Sequence, residues 1–259
     1  MELSIFQVDA FSSKVFGGNP AAICPLESWL PDNILQSIAN ENNLAETAYF
    51  VRTGDRFHLR WFTPTVEVDL CGHATMTSAH ILFQELSYAN DKIYFDTKSG
   101  ELVVKRDGDL LVMDFPSRPP KPVADVADVV KAMRGNPVEI LEARDCLVVY
   151  KTEDEVLSLQ PDIAALLKLN HFAVIATAPG KNCDFVSRFF APKQGIPEDP
   201  VTGSAHSTLI PYWAEKLGKT TLHAWQVSAR RGEVFCKLLG ERVEKAGRAA
   251  LYLKGTIYI

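Results

Sequence analysis

The hydrophobic pattern opens with a run of β-favouring side chains at residues 3–11 and then changes period repeatedly along the chain. A Gly17-Gly18-Asn19-Pro20 turn follows, whose glycines admit positive φ and close backbone approach, and a second apolar run at 21–25 reads as a strand. Pro31 suits the first position of a helix that buries Ile34, Leu35 and Ile38. Two asparagines, Asn42 and Asn43, then lead into an apolar strand with Glu46 at its mouth. Residues 57–63 predict another strand, and residues 73–87 a helix with Met76, Ala79, Leu82, Phe83 and Leu86 on its apolar side. Strands at 92–97, 101–106 and 110–115 are punctuated by Ser99-Gly100 and by Asp107-Gly108, a strong hairpin signal.

Residues 116–122 carry four prolines and break regular structure, which places a boundary between units 1–117 and 118–259. The second unit predicts a helix at 123–134, strands within 138–151, a helix at 161–168, and strands at 172–178 and 184–190. A long loop leads to a helix at 204–217 with Ala205, Leu209, Tyr212, Trp213 and Leu217 on one side. Pro211 falls inside it and predicts a kink or an early break. Strands near 222–228, 233–239, 242–246 and 249–258 close the chain, and either unit's sheet could take the last one.

The landmarks recur at a fixed offset. Pro31 and Pro161, each opening a helix, stand 130 apart; Pro64 and Pro192, each after an aromatic strand, 128; Gly72 and Gly203, each at a helix start, 131. Three independent landmarks sharing one period of about half the 259 residues indicate a duplicated unit. Each copy is long enough to bury its own core.

Composition narrows the function classes. The chain is 47% hydrophobic and 23% charged, as ordinary globular proteins are, and its net charge of −5 offers nothing to nucleic acid or an anionic membrane. Met1-Glu2-Leu3-Ser4 has neither the basic start nor the apolar run of a signal peptide, and no apolar run reaches the ~18 residues of a membrane span. Five cysteines, odd in number and without a C-x-x-C pair, favour a reduced compartment, so a cytoplasmic location is expected.

Candidate chemistry gathers at the two helix starts. Cys71-Gly72-His73-Ala74-Thr75 and residues 198–206, from Glu198 to His206, both run from a loop into a helix and expose backbone amides where anions bind. In a duplicated fold, one cleft between halves with such a terminus on each side would hold a carboxylate without arginine or metal. Glu46, Cys71, His73 and Asp199 supply titratable groups around it, a set suited to isomerisation by proton transfer. Each has a plainer reading. Glu46 fits a solvated strand edge, Cys71 a small buried side chain, His73 a helix cap, and Asp199 a brace for its loop. Cys24, Cys146, Cys183 and Cys236 sit among apolar residues and read as core. There is no phosphate loop or Gly-x-Gly-x-x-Gly fingerprint, and no nucleophile elbow around Ser204. His73 and His80 have no third ligand at useful spacing, so neither a metal nor any other cofactor is expected.

Together, Gly18-Asn19-Pro20-Ala21, Glu46-Thr47-Ala48, Phe62-Thr63-Pro64, Cys71-Gly72-His73-Ala74-Thr75 and the run from Glu198 to Ala205 resemble the PhzF-like phenazine biosynthesis family. The resemblance runs from the first strand to the last, and is closest to the phenazine biosynthesis-like domain-containing, or MAWD-binding, subgroup. It implies an α+β, diaminopimelate epimerase-like fold: two pseudo-symmetric halves, each a curled, mostly antiparallel sheet around a central helix. The family's phenazine enzyme isomerises its substrate without a cofactor, by a carboxylate that moves a proton between ring carbons. By motif that carboxylate is Glu46, with His73 and Asp199 polarising the substrate. Gly18, Asn19, Cys71, Gly72, Gly203 and Ser204 then fall in the substrate-binding set. The expected partner is a small carboxylate-bearing molecule, and a homodimer follows from the resemblance alone. Racemases similar to this fold use two facing cysteines. Cys71 matches the first, but Pro200 stands at the second, which argues against a two-thiol mechanism. Two alternatives stay open: an epimerase using Glu46 with Cys71, and a non-catalytic interaction protein on the same fold.

Overall fold

In the computed structural model, which describes residues 1–124 and 126–259, the chain divides into two units: Met1–Asp114 with Ala246–Ile259, and Phe115–Lys245. The last strand, Ala249–Tyr258, pairs antiparallel with the first, Glu2–Ala10, with a bulge between Gln7 and Val8. That pairing gives the final strand to the first unit.

In the first unit, strand Asn19–Leu26 turns back antiparallel on Glu2–Ala10. Helix Asp32–Asn42 carries the chain to strand Glu46–Thr53, which lies parallel to Asn19–Leu26 with Glu46 beside Ala21. Arg56–Phe62 returns antiparallel. Helix Gly72–Gln84 then crosses to strand Lys92–Thr97, parallel to Arg56–Phe62, and the Asp107-Gly108 hairpin follows. The first helix packs Leu35, Ile38 and Ala39 against Cys24, Tyr49, Val51 and Phe62, and buried Tyr49 donates its hydroxyl to the Leu35 carbonyl at 2.8 Å.

The second unit repeats the succession. Glu139–Glu142 and Cys146–Val149 pair antiparallel, helices Glu153–Ser158 and Ile163–Leu166 intervene, and Val174–Pro179 lies parallel to Cys146–Val149. Phe185–Ala191 returns antiparallel, helix His206–Leu217 crosses, and Thr221–Gln226 lies parallel to Phe185–Ala191 before the final hairpin. The same order of parallel and antiparallel steps, each with one long crossover helix, is the internal duplication that the 130-residue offset foretold.

Both crossover helices are buried nearly all round. Ten of thirteen residues in Gly72–Gln84 and nine of twelve in His206–Leu217 are inaccessible, which a curled sheet around each helix requires. The sequence reading assigned the first of these a single apolar side. The small polar residues on its other side are also buried because their hydroxyls bond back to the helix: Thr75 to the Cys71 carbonyl at 2.6 Å, Thr77 and Ser78 to that of Ala74 at 3.0 and 2.7 Å. Leu86 is not on that helix, which ends at Gln84, and it is exposed.

Other expectations need correction. The helix holding Pro211 does not break; it continues to Leu217. Proline removes the bond to the Ser207 carbonyl, and that carbonyl instead accepts from the Arg118 amide at 2.8 Å. Its helical bounds begin at His206 rather than at 204, because residues 203–205 form tight turns whose carbonyls accept from three residues on. The strands expected within 138–151 form a hairpin turning at Ala143-Arg144-Asp145. The helix expected at 161–168 shrinks to Ile163–Leu166, while Thr152 and Glu155 form a capping box that starts the preceding helix. Of the helix expected at 123–134, Ala127–Met133 is present, and Asp125 lies outside the described residues. All five cysteines are free, Cys183 half-buried and the rest buried. No helix among the described residues is long and apolar enough to cross a membrane.

Candidate active site

The first unit brings four of the expected residues together. Asn43 ends the first helix in the left-handed conformation, and three residues later Glu46 opens its strand. Cys71, in extended backbone, caps helix Gly72–Gln84 and delivers His73 into the same region. The loop before Asn19 is fixed by the buried Asp9, whose carboxylate accepts from the Phe16 amide at 2.7 Å. Gly18 has φ +62°, and a β-carbon there would stand 1.9 Å from the Ala10 carbonyl oxygen, so glycine is required where the chain turns into Asn19.

His73 sits at the centre. Its Nε2 lies 3.0 Å from Glu46 Oε2, and its Nδ1 lies 3.3 Å from Asn19 Nδ2 and 3.6 Å from Cys71 Sγ. The Glu46 and His73 side chains are only 12% and 8% exposed. The two approach as an ion pair, but Nε2 and Oε2 are out of line for a hydrogen bond and have no other hydrogen-bond partner among the described residues. Burial, the largest influence, pulls the imidazole down, yet Cys71 and Glu46 outweigh it and hold His73 well above the usual histidine value. Burial, and then the Glu46 charge, push the Cys71 thiol up. One donor atom each from Glu46, Cys71 and His73 lie within 4.8 Å of one another, a group able to share a metal ion.

The second unit holds the remaining candidates in a braced loop. The Thr202 hydroxyl donates to Asp199 Oδ2, the Gln226 amide donates to the Asp199 carbonyl at 2.8 Å, and the Thr202 amide donates back to Gln226 Oε1 at 2.8 Å. His206 Nδ1 is 2.9 Å from the Thr202 carbonyl, and the Ser228 hydroxyl donates to that of Pro200 at 2.7 Å. Burial lowers His206 to about 4, with Lys245 adding to the effect and the bond to Thr202 opposing it. Ser204 accepts from Arg144 Nη2 at 3.0 Å. That guanidinium also forks onto the buried Asp145 at 3.0 and 2.7 Å and stacks 4.7 Å above the Phe172 ring. Asp199 is thus tied into its loop by Thr202 and Gln226.

Thr202, Gln226 and Arg144 escaped the sequence reading. The i, i+3 spacing of Asp199 and Thr202 was a usable turn signal. Gln226 reaches that turn from a strand, and Arg144 reaches Ser204 from a hairpin turn. Neither announces itself locally.

The profile of the phenazine biosynthesis-like protein family, PhzC-PhzF, matches residues 8–256. The chain belongs to this family. An uncharacterized isomerase of Pseudomonas aeruginosa is 51% identical over 259 residues, covering both chains completely. A phenazine biosynthesis-like domain-containing protein of Bos taurus is 40% identical over 286 residues, 99% of each chain. The crystal structure of a PhzF-family phenazine biosynthesis protein from Enterococcus faecalis superposes with a TM-score of 0.98 at 45% identity, over all of both chains. A hydroxyproline epimerase from Agrobacterium vitis shares the fold alone, at a TM-score of 0.61 and 9% identity. The fold is thus the epimerase-like α+β fold of the PhzF family, and the isomerase relative supports an isomerase kind of function for the chain.

Proposed function

We propose that this PhzF-family protein is a cofactor-independent isomerase that moves a proton on a small carboxylate-bearing substrate, with Glu46 as the general acid and base. One observation carries the reading: a nearly buried Glu46 carboxylate held 3.0 Å from an imidazole whose pKa is raised. Removing a proton from carbon beside a carboxyl or carbonyl builds negative charge on the substrate. A positive His73 beside the base stabilises that charge, and burial keeps water from screening it. The amides at the Gly72 helix start suit the substrate's own carboxylate. Asp199, Gly203 and Ser204 enter this reading by motif, as further substrate contacts.

The test is deuterium incorporation from solvent into a panel of small cyclic and amino-acid-like carboxylates, followed by NMR. Glu46→Gln should slow exchange about 10²–10⁴-fold with the fold intact. Equal exchange in both proteins would remove Glu46 from the mechanism. A second reading, an epimerase pairing Glu46 with Cys71, draws on the 3.6 Å approach of Sγ to His73. Inversion of a chiral substrate that Cys71→Ala abolishes, while proton exchange persists, would favour it.

A further inference from the structure

We infer that Glu46, Cys71 and His73 also form a site for a thiophilic divalent cation of the Zn²⁺ class, and that its occupancy excludes proton transfer by Glu46. Once binding releases one proton from the Cys71 thiol and one from the His73 imidazolium to solvent, the donors are a thiolate sulfur, an imidazole nitrogen and a carboxylate oxygen, the set that selects zinc and cobalt over magnesium or calcium. One of their separations already suits a tetrahedral ion. Bond lengths of about 2.0–2.3 Å place neighbouring ligand atoms roughly 3.3–3.6 Å apart. Sγ and Nδ1 lie 3.6 Å apart, whereas Nε2 and Oε2, at 3.0 Å, are closer than two ligands of one ion. The sulfur and the carboxylate approach opposite nitrogens of the ring, so binding turns the imidazole to bring one nitrogen to both.

Two further features favour a ligand there. His73 Nε2 and Glu46 Oε2 are buried without an aligned hydrogen bond, so each keeps unmet bonding capacity aimed at the other. The Asn19 amide, 3.3 Å from Nδ1, can turn its oxygen to accept the proton on the ring nitrogen that does not bind metal, as outer-shell partners do. Three protein ligands leave a fourth position open to water or a substrate carboxylate.

The exclusion rests on the proposed role of Glu46, since an oxygen bound to metal cannot take the proton. Cation binding itself does not. Titrating the full-length, chelator-treated protein with Co²⁺ should give one equivalent of binding and a sulfur-to-cobalt charge-transfer band that Zn²⁺ displaces. Cys71→Ser should abolish the band and weaken binding beyond the roughly 10–100-fold cost of losing an outer-shell partner. Cys183→Ser, at the least buried of the other cysteines, should leave both unchanged. X-ray absorption of the zinc-loaded wild type is independent of any variant's folding and should show one sulfur neighbour. No stoichiometric binding, a band surviving Cys71→Ser, or a sulfur count other than one would overturn the site. Substrate exchange undiminished by saturating Zn²⁺ would overturn the exclusion alone, whereas exchange absent without metal would count against the isomerase reading.

Discussion

Acid should weaken the second unit through a single buried histidine. His206 is fully buried at the start of the central helix, and its Nδ1 faces the Thr202 carbonyl at 2.9 Å. A carbonyl only accepts, so Nδ1 carries the proton and Nε2 is the bare nitrogen, without a hydrogen-bond partner among the described residues. A second proton would place a charge in a site closed to bulk solvent, near the buried Lys245, which is why burial drives the pKa to about 4. The unfolded chain keeps the ordinary value of 6.5. As pH falls the unfolded state therefore takes up its proton first. The contribution is complete above the unfolded value and drains away as pH falls toward the folded one. Integrated over that interval, about 2 kcal/mol is lost between pH 7 and pH 5, and about 3 by pH 4. Against a usual total of about 5–15 kcal/mol, that is a large share.

Urea unfolding of the wild type and of His206→Asn across this range isolates the effect. Asparagine keeps a donor near the Nδ1 position and has nothing to titrate, so carboxylates contribute equally to both proteins. The variant's profile should be flatter by about 2 kcal/mol between pH 7 and pH 5. Parallel profiles would refute the account. Because Thr202 also holds Asp199, acid should loosen that loop too, visible as faster amide exchange at Thr202.

Three other outcomes follow from the same geometry. Gly18→Ala should cost more than about 2 kcal/mol, from positive φ and the clash with the Ala10 carbonyl, and lower Tm by several degrees. Gln226→Met should cost about 1–3 kcal/mol in urea unfolding by leaving the Thr202 amide buried without its acceptor. Glu46→Gln should bring the His73 titration down, as seen by NMR, because burial then acts without the opposing carboxylate. In the wild type the raised pKa means this pair stabilises the fold below the unfolded value and ceases to do so as pH rises through the folded one. An unchanged His73 titration would show that Glu46 is not its partner.

What could be read from the sequence was whatever the backbone dictates locally. The Pro31, Pro64 and Gly72 landmarks recur because each copy must start a helix or end a strand at the same step, and that constraint survives in residue type. Thr152 and Glu155 carried an equally local signal, a capping box, which went unread. The Pro211 expectation misled for the opposite reason. Proline's cost in a helix is local, but its remedy, the Arg118 amide on the Ser207 carbonyl, comes from ninety-odd residues away. The site divides in the same way. Cys71 and His73 are two residues apart on one helix start, whereas Asn19 and Glu46 reach them only because parallel pairing sets Glu46 beside Ala21, two positions after Asn19. A side chain's charge state depends on such non-local neighbours. Glu46 is unremarkable at a strand mouth, and only burial against His73 makes it a candidate base. The same proximity that raises the imidazole also assembles a sulfur, a nitrogen and an oxygen within reach of one cation. The proposed proton shuttle and the proposed metal site would both follow from one packing arrangement, and a substitution at Cys71 should separate them, because metal binding would need the thiol and proton transfer by Glu46 would not.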